Sequence, residues 1–578
     1  MINKNMKYKN LFFLRAINLV IVVFLFNQFV NAQISSNLST PVDIEIDLNT
    51  SKGEMKPIWA FFGYDEPNYT YMKDGKKLLS EIASLSNIPV NVRVHSLLVT
   101  GDGIAALKWG STNAYTEDAQ GNPIYNWAII DSIFDVFIAR GMKPIAQVGF
   151  MPEALSTHPQ PYKHHWAPGA KYNDIFTGWA YPPKDYKKFA ALVYEWVKHE
   201  VKRYGKTEVE SWYWEMWNEP NIDYWKGTTD EFIKLYDYTA DAIKRALPTA
   251  KVGGPEVTGP SWDDAAIFMK AFLDHVVNGK NYVTGKKGSP LDLITFHAKG
   301  EPKLVNGMVQ MNMGKQLRDI DAGFKIVASY PTLKKLPIII GESDPEGCAA
   351  CSEDFNPQNA YRNGTMYSSY TAASFARKYE LAENSGVNLK GAVTWAFEFE
   401  DQPWFRGFRD LATNGVDKPV LNVFRMFGMM KGNRATVKKG LAYDYIAIRD
   451  SSVRGTEPDI NAIAAKDEHS ATVMVWNYHD NNDLSIAPSP VTIKIKGMQN
   501  GKVLLHHYRI DQQFSNSYEA WKKMGSPKTP SAQQIKELEA AGQLQLYTSP
   551  EWVNIKNGEA VINMQLPRQG VSLLKYSW

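Results

Sequence analysis

Two glutamates stand where apolar runs end. Glu219 falls in Trp212-Tyr213-Trp214-Glu215-Met216-Trp217-Asn218-Glu219-Pro220-Asn221, where a proline stops the run and a carboxamide stands beside the acid. Glu342 falls in Leu336-Pro337-Ile338-Ile339-Ile340-Gly341-Glu342-Ser343-Asp344-Pro345. Two carboxyl groups opposed across a cleft are what hydrolysis of a glycosidic bond requires. One protonates the leaving oxygen, and the other attacks the anomeric carbon or activates water. A lone strand-end glutamate is more often an ion-pair partner or a helix cap. Two of them, one inside Trp-Asn-Glu-Pro, point to the chemistry instead. The proton donor must be neutral at working pH, so burial by tryptophan and the negative charge of its partner would have to raise its pKa. Once the partner is glycosylated that charge disappears, and the donor can act as base. No metal or cofactor is needed.

The elements that position these residues follow from the hydrophobic pattern. Short apolar segments at 57–62, 90–95, 144–150, 212–218, 251–254, 291–297, Pro337–Glu342 and 392–397 read as strands. Amphipathic stretches such as 127–140, 183–204, 229–247, 263–277 and 361–385 read as helices between them. Eight strands alternating with helices imply a (β/α)8 barrel over 56–435, whose working groups sit at the C-terminal strand ends. No Gly-rich phosphate loop opens the first helix, which argues against a doubly wound open sheet. Glu219 and Glu342, 123 residues apart, fall on the fourth and seventh strands, which face each other across the mouth.

Beyond 436 the pattern becomes all-β. Residues 471–478, 491–498, 502–510, 559–566 and 570–578 read as strands of a β-sandwich over 436–578, interrupted by one short helix at 531–541. Residues 42–49 (VDIEIDLN) alternate apolar and acidic, as a strand with one buried face does, and the 33–55 segment is expected to join that sandwich.

Residues 1–32 read as a signal peptide, with Lys4, Lys7 and Lys9 before an apolar stretch and Val30-Asn31-Ala32 before the cut. The apolar stretch is short for a span of about 30 Å. Export to the periplasm or the exterior is expected, with no membrane insertion after cleavage. The two cysteines, Cys348 and Cys351, admit three readings. A zinc site needs about four ligands and has no His or Cys nearby in sequence. A redox pair needs a thioredoxin-like fold. A short-loop disulfide suits an oxidising compartment.

Composition bounds the rest. The 578 residues are 44% hydrophobic and 22% charged, the mix of a globular protein with a large core. The net charge is +3, and four positives (Lys4, Lys7, Lys9, Arg15) lie in the acid-free leader, leaving about −1 for the remainder. That offers no basic field for nucleic acid. The 17 Trp and 29 Tyr suit the flat apolar faces of sugars as well as a core. The sequence sets no oligomeric state.

Trp217-Asn218-Glu219-Pro220 with Glu342 resembles the retaining glycosidases built on a (β/α)8 barrel. The wider resemblance is to glycoside hydrolase family 39, the β-xylosidases and α-L-iduronidases, over nearly the whole mature chain. It is carried by Val92-Arg93-Val94-His95, Val148-Gly149-Phe150-Met151-Pro152, the WAYPPKD run from Trp179, Arg203-Tyr204-Gly205, Val252-Gly253-Gly254-Pro255 and Met524-Gly525-Ser526-Pro527. The resemblance implies Glu219 as acid/base, Glu342 as nucleophile, Asn218 on the sugar 2-OH, His95 and His297 on sugar hydroxyls, and Trp395 as a wall for the sugar. Its substrate would be a terminal β-D-xyloside of an oligo- or polysaccharide.

Two segments depart from the xylosidase pattern. His297-Ala298-Lys299-Gly300 and Glu342-Ser343-Asp344-Pro345 are more similar to the iduronidase branch, and Asp401 corresponds loosely to an acidic site residue there, with Arg406 and Arg409 close by. A lysine beside the sugar can pair with a C5 carboxylate, which xylose lacks. Lys299 could equally pair with Asp344 or Asp401. A uronidase acting on acidic, ulvan-type polysaccharide is therefore the rival expectation. A catalytically silent carbohydrate binder is a third, against which the two glutamates speak.

Overall fold

The computed structural model describes residues 41–348, 350–395, 399–408, 411–439 and 443–578. The expected signal peptide, Phe397 and Arg409 lie outside the described residues. Eight parallel strands close on themselves: Phe61–Tyr64, Asn91–Val94, Lys143–Val148, Tyr213–Met216, Lys251–Val257, Leu293–His297, Pro337–Glu342, and Asn388–Ala392 continued by Thr394–Trp395. Closure is made by Thr394 and Trp395 pairing with Phe62 and Gly63. This is a (β/α)8 barrel. Its strands are buried on both faces, which is why they read as apolar runs rather than alternating ones.

Three strands differ from their sequence reading. The first lies at Phe61–Tyr64 rather than 57–62. The eighth begins at Asn388, because residues 388–392 pair with the seventh strand despite carrying Lys390 and Gly391. The fifth does not stop at 254. Pro255 lacks an N–H, yet it pairs with Thr295 at a register shift, and the strand runs on to Val257.

The outer helices bury one face each. Tyr186–Tyr204 starts at Asp185, whose carboxylate accepts the N–H groups of Lys187 and Lys188. Thr229–Ala246 starts at a reciprocal Thr228/Glu231 capping box. Thr365–Ser385 is buried around nearly its whole circumference, because the second domain covers its outer face. There Arg377 bonds Asp459 at 3.0 Å and Ser369 Oγ bonds Gln569.

The second domain is a β-sandwich. One sheet is Thr436–Lys439, Val42–Asp47, Ser489–Lys496 and Glu559–Leu566. Val42–Asp47 lies in it parallel to Ser489–Lys496, with Ile44 opposite Ile493. Val42, Ile44 and Ile46 face the core, while the outward Asp43 pairs with Lys494. The other sheet is built from Asp459–Lys466, Ser470–Tyr478, Val571–Ser577 and Gly501–Ile510, with Glu551–Ile555 along its edge. A helix at Ala532–Gly542 is joined by two others, Tyr445–Ser451 and Ser517–Lys523, that the sequence reading missed. No helix among the described residues is long and apolar enough to cross a membrane.

Candidate active site

A cleft of about 380 Å³ opens at the C-terminal ends of the barrel strands and is lined by Asn218, Glu219, His297, Lys299 and Glu342. Glu219 reaches it from a loop in which Trp217 and Glu219 both have positive φ, 64° and 43°. The loop is fixed by Trp217 Nε1 donating to Tyr224 O at 2.9 Å, and by the Glu219 N–H donating to Glu256 O at 2.8 Å. His297 Nδ1 lies 2.9 Å from Glu219 Oε1. One oxygen of Glu219 and one of Glu342 lie within 4.8 Å of each other. The fourth and seventh strands therefore bring the two predicted carboxyls together.

Glu342 sits among cations. Lys299 Nζ is 2.6 Å from its Oε2, Arg93 Nη1 is 3.2 Å from its Oε1, and His297 Nδ1 is 3.8 Å from Oε2. Burial by itself would push this carboxyl up. Lys299, His297, His95 and Arg93 outweigh it and hold the pKa at about 2. His95 is itself driven down to about 3, mainly by burial and by Arg93, and is neutral at neutral pH. The charges that hold Glu342 ionised there are thus Lys299, His297 and Arg93.

Beneath the cleft lies a fully buried layer. Arg93 donates to Glu215 Oε1 at 2.6 Å and to Asn218 Oδ1 at 3.1 Å, and its Nη1 lies 2.9 Å from His95 Nε2. Its Nη2 is 3.8 Å from Glu256 Oε2, and Glu256 Oε2 is 2.6 Å from His297 Nε2. Burial and the neighbouring Glu256 push the Glu215 carboxyl well up, against the pull of Arg93. Glu256 is also pushed up by burial, but Arg93, Glu215 and His297 bring it well below the carboxylate range. Of the two, Glu215 carries the proton and Glu256 the charge. Burial pulls His297 down, yet Glu342, Glu256 and the contact with Glu219 raise it to about 9. It is an imidazolium at neutral pH.

The remaining predicted residues divide. Lys299 lines the cleft and is bound by both Glu342 and Asp344, the latter at 2.9 Å. His95 is buried at the edge of an adjoining aromatic pocket with Asp65, Trp109, Phe150, Trp179 and Tyr224. Cys348 and Cys351 form a disulfide, and Cys348 lines the cleft. Trp395 is not a wall of the cleft. It is 1% exposed, packs its ring on His95 and against Gly63, and donates to Asp65 Oδ1 at 3.1 Å. At the seam where the first and eighth strands pair, its ring points inward and supports other site residues. Asp401 does not reach the cleft either. It is exposed in the loop after the eighth strand, with φ 57°, and Lys299 takes Asp344 as its aspartate. Arg406 in the same loop pairs with Glu353 and Asp354.

Sequence reasoning missed Arg93, Glu215 and Glu256 as site residues, along with Asp65, Lys108 and Tyr224 on the walls. The signal for the first two was present: a charged residue inside an apolar barrel strand can only face the barrel interior. Glu256 was hidden by the expectation that the strand ends at Pro255.

The arrangement offers an ionised carboxylate, a second carboxyl within 4.8 Å of it, and a cationic imidazole touching both. The model of Glycosyl hydrolases family 39 matches residues 42–554. The chain is 27% identical over 458 residues to a beta-xylosidase of Caldicellulosiruptor saccharolyticus, covering 77% of this chain and 82% of that one. It is 26% identical over 540 residues to an alpha-L-iduronidase of Mus musculus, covering 86% and 75%. Among solved structures, a monomeric beta-xylosidase from Caulobacter crescentus CB15 superposes with a TM-score of 0.70 at 21% identity, covering 93% of this chain and 99% of that one. The match across most of the chain, on a barrel that carries both carboxyls at its mouth, makes this protein a member of glycosyl hydrolase family 39.

Proposed function

We propose that the protein is a retaining, exo-acting glycosidase that releases terminal β-D-xylose through a covalent glycosyl-enzyme. The observation that carries this is the approach of Glu219 and Glu342 to within 4.8 Å. Retaining enzymes hold their carboxyl groups about 5–5.5 Å apart, whereas inverting enzymes leave about 6.5–9.5 Å for a water. Glu342, ionised by its cationic surroundings, attacks the anomeric carbon as Glu219 gives its proton to the departing oxygen. Glu219 then takes a proton from water, whose oxygen attacks the same carbon and releases Glu342. Asn218, held by Arg93, is placed for the 2-OH.

The charge of the cleft favours a neutral sugar. Its lining carries Asp65, Glu219, Glu301, Glu342 and Glu346 against Lys108, Lys299 and Lys315. Each of those lysines is already paired, with Asp65 at 3.2 Å, Glu342 at 2.6 Å and Asp319 at 2.5 Å. Relatives named as beta-xylosidases support the same reading. The loops spanning 156–177 and 348–361 favour a closed-off pocket and hence exo action. Export through the 1–32 leader fits a disulfide at the cleft.

One observation favours a second reading, α-L-iduronide or a related uronide. Lys299 remains 13% exposed on the cleft wall and has a third N–H to offer a sugar carboxylate. Matched aryl β-D-xyloside and α-L-iduronide substrates, with Glu342→Ala as blank, decide between them. Xyloside turnover with β-xylose as the first-formed anomer is expected. Iduronide turnover lost in Lys299→Ala would select the second reading, α-xylose as the first anomer would refute retention, and inertness toward both would favour a silent binder.

A further inference from the structure

The fifth strand continues past Pro255 at a bulge. Pro255 pairs with Thr295 and Val257 with Phe296, which leaves Glu256 as the extra residue, with φ 54°. A bulge re-aims a side chain, and here it sends a carboxylate into the barrel, fully buried. Glu256 then touches four other strands or their ends. Its carbonyl accepts the Glu219 N–H at 2.8 Å. Its Oε2 lies 2.6 Å from His297 Nε2 and 3.8 Å from Arg93 Nη2. Its carboxylate also rests against Gly341, immediately before Glu342, where a Cβ would collide with it.

His297 is thereby enclosed by acids on both ring nitrogens. Nε2 faces Glu256, and Nδ1 faces Glu219 at 2.9 Å and Glu342 at 3.8 Å. The other charged or titratable groups around it are Lys299, Arg93 and His95, with Glu215 acting through Glu256. A neutral imidazole has one N–H. If Glu256 held it, a lone pair on Nδ1 would face Glu219. Only the imidazolium donates from both nitrogens.

We propose that Glu256 is a positioning residue for the acid/base step: it fixes His297 as a permanent imidazolium between Glu219 and Glu342. This rests on the reading of Glu219 as proton donor. Before cleavage the negative charge is on Glu342. As the glycosidic C–O bond breaks, the Glu219 proton passes to the leaving oxygen and Glu342 becomes an ester, so the charge moves to Glu219. Deglycosylation reverses both changes. Nδ1–H is within reach of both carboxyls and stabilises whichever one is charged. The cation need not move or change protonation, because Glu256 pairs with Nε2 throughout. The elevation of the His297 pKa to about 9 agrees with this.

The test compares Glu256→Gln with the wild type on two glycosides of the sugar it hydrolyses, one with a dinitrophenyl and one with an alkyl leaving group. Loss of general-acid assistance is worth about 10²–10⁴-fold. Glu256→Gln is expected to lower kcat/KM about 100-fold on the alkyl glycoside and less than about 10-fold on the dinitrophenyl one. KM should change little, and the alkaline limb should move down by about one pH unit or more as His297 loses its proton earlier. Equal losses on both substrates with an unmoved alkaline limb would reduce Glu256 to a structural residue and overturn the proposal. Glu219→Gln serves as control. A leaving-group dependence there but not in Glu256→Gln sinks this inference alone, whereas its absence in Glu219→Gln sinks the donor assignment beneath it. Should Glu256→Gln not fold, ¹⁵N resonances of the native protein decide, with the His297 signals assigned by their loss in His297→Gln. Both ring nitrogens are expected to be protonated at pH 7.5, and a neutral tautomer there would overturn the proposal.

Discussion

Replacing Lys299 with methionine separates two jobs that this lysine could do. Its ammonium lies 2.6 Å from Glu342 and 2.9 Å from Asp344, and it is the largest of the charges that oppose the burial of Glu342. The interval from the ordinary value of 4.5 to about 2 corresponds to about 3 kcal/mol, at about 1.4 kcal/mol per pH unit. Because the folded value is the depressed one, this stability is fully present above about pH 4.5 and is lost as pH falls toward 2. Methionine keeps the volume and removes the charge. Burial then acts against His297 and Arg93 alone, and the Glu342 carboxyl rises by about two pH units. In kcat/KM measured on an aryl β-D-xyloside from pH 3.5 to 8, the wild type should show no acid limb from Glu342. Lys299→Met should show one with a midpoint near about pH 4–5, so its deficit is far larger at pH 4 than at pH 7. Asp344→Asn, which leaves Lys299 on Glu342, should not raise the limb. An unmoved acid limb in Lys299→Met would refute the reasoning: Lys299 would then not hold the nucleophile ionised, and its charge would be free for a substrate carboxylate.

Other perturbations follow from single contacts. Gly341→Ala places a methyl on the Glu256 carboxylate; activity should fall at least about 100-fold while circular dichroism still reports a folded barrel. Thr228→Ala removes the side-chain half of the capping box of helix Thr229–Ala246, leaving the N–H of residue 228 on Glu231, and should cost about 1 kcal/mol in denaturant titration, with kcat/KM unchanged. Ile338→Ala empties a fully buried site in the seventh strand and should cost about 2–5 kcal/mol by the same measurement.

The barrel and the two glutamates that meet at its mouth were legible because both depend on local pattern. Apolar runs such as 337–340 can only be doubly buried strands, and a glutamate ending such a run must emerge at the mouth. The N-terminal strand was legible from the alternation in Val42–Asp47, since Ile44 and Ile46 need a core and Asp43 and Glu45 need solvent. What escaped depended on pairing between distant segments. Nothing local states that the Trp395 ring turns in against His95 and Gly63 rather than out to the cleft. Asp401 was placed near the sugar by a loop alignment, and loop paths are set by contacts the sequence does not display. Glu256 was lost because a proline normally ends a ladder. Only the register shift opposite Thr295 and Phe296 shows that the strand absorbs it and turns the next residue inward.

The buried charges themselves argue that this layer was kept for chemistry. Arg93, the protonated Glu215 and the ionised Glu256 are fully enclosed, and buried charges gain less from mutual attraction than they lose in leaving water unless every one is well bonded. Their bonding is uneven. Arg93 is satisfied on four sides, while Glu256 is held chiefly through charge, with His297 Nε2 at 2.6 Å and Arg93 Nη2 at 3.8 Å. A set of apolar side chains of equal volume would fill the same space at lower cost. What they could not do is hold a fixed positive charge at His297 and Lys299 facing two carboxyls that exchange a negative charge. Preorganised charge of this kind needs no reorganisation as the reaction proceeds, and in a site shielded from water it acts at full strength. The stability given up in the barrel interior is therefore the counterpart of the ionised Glu342 at its mouth.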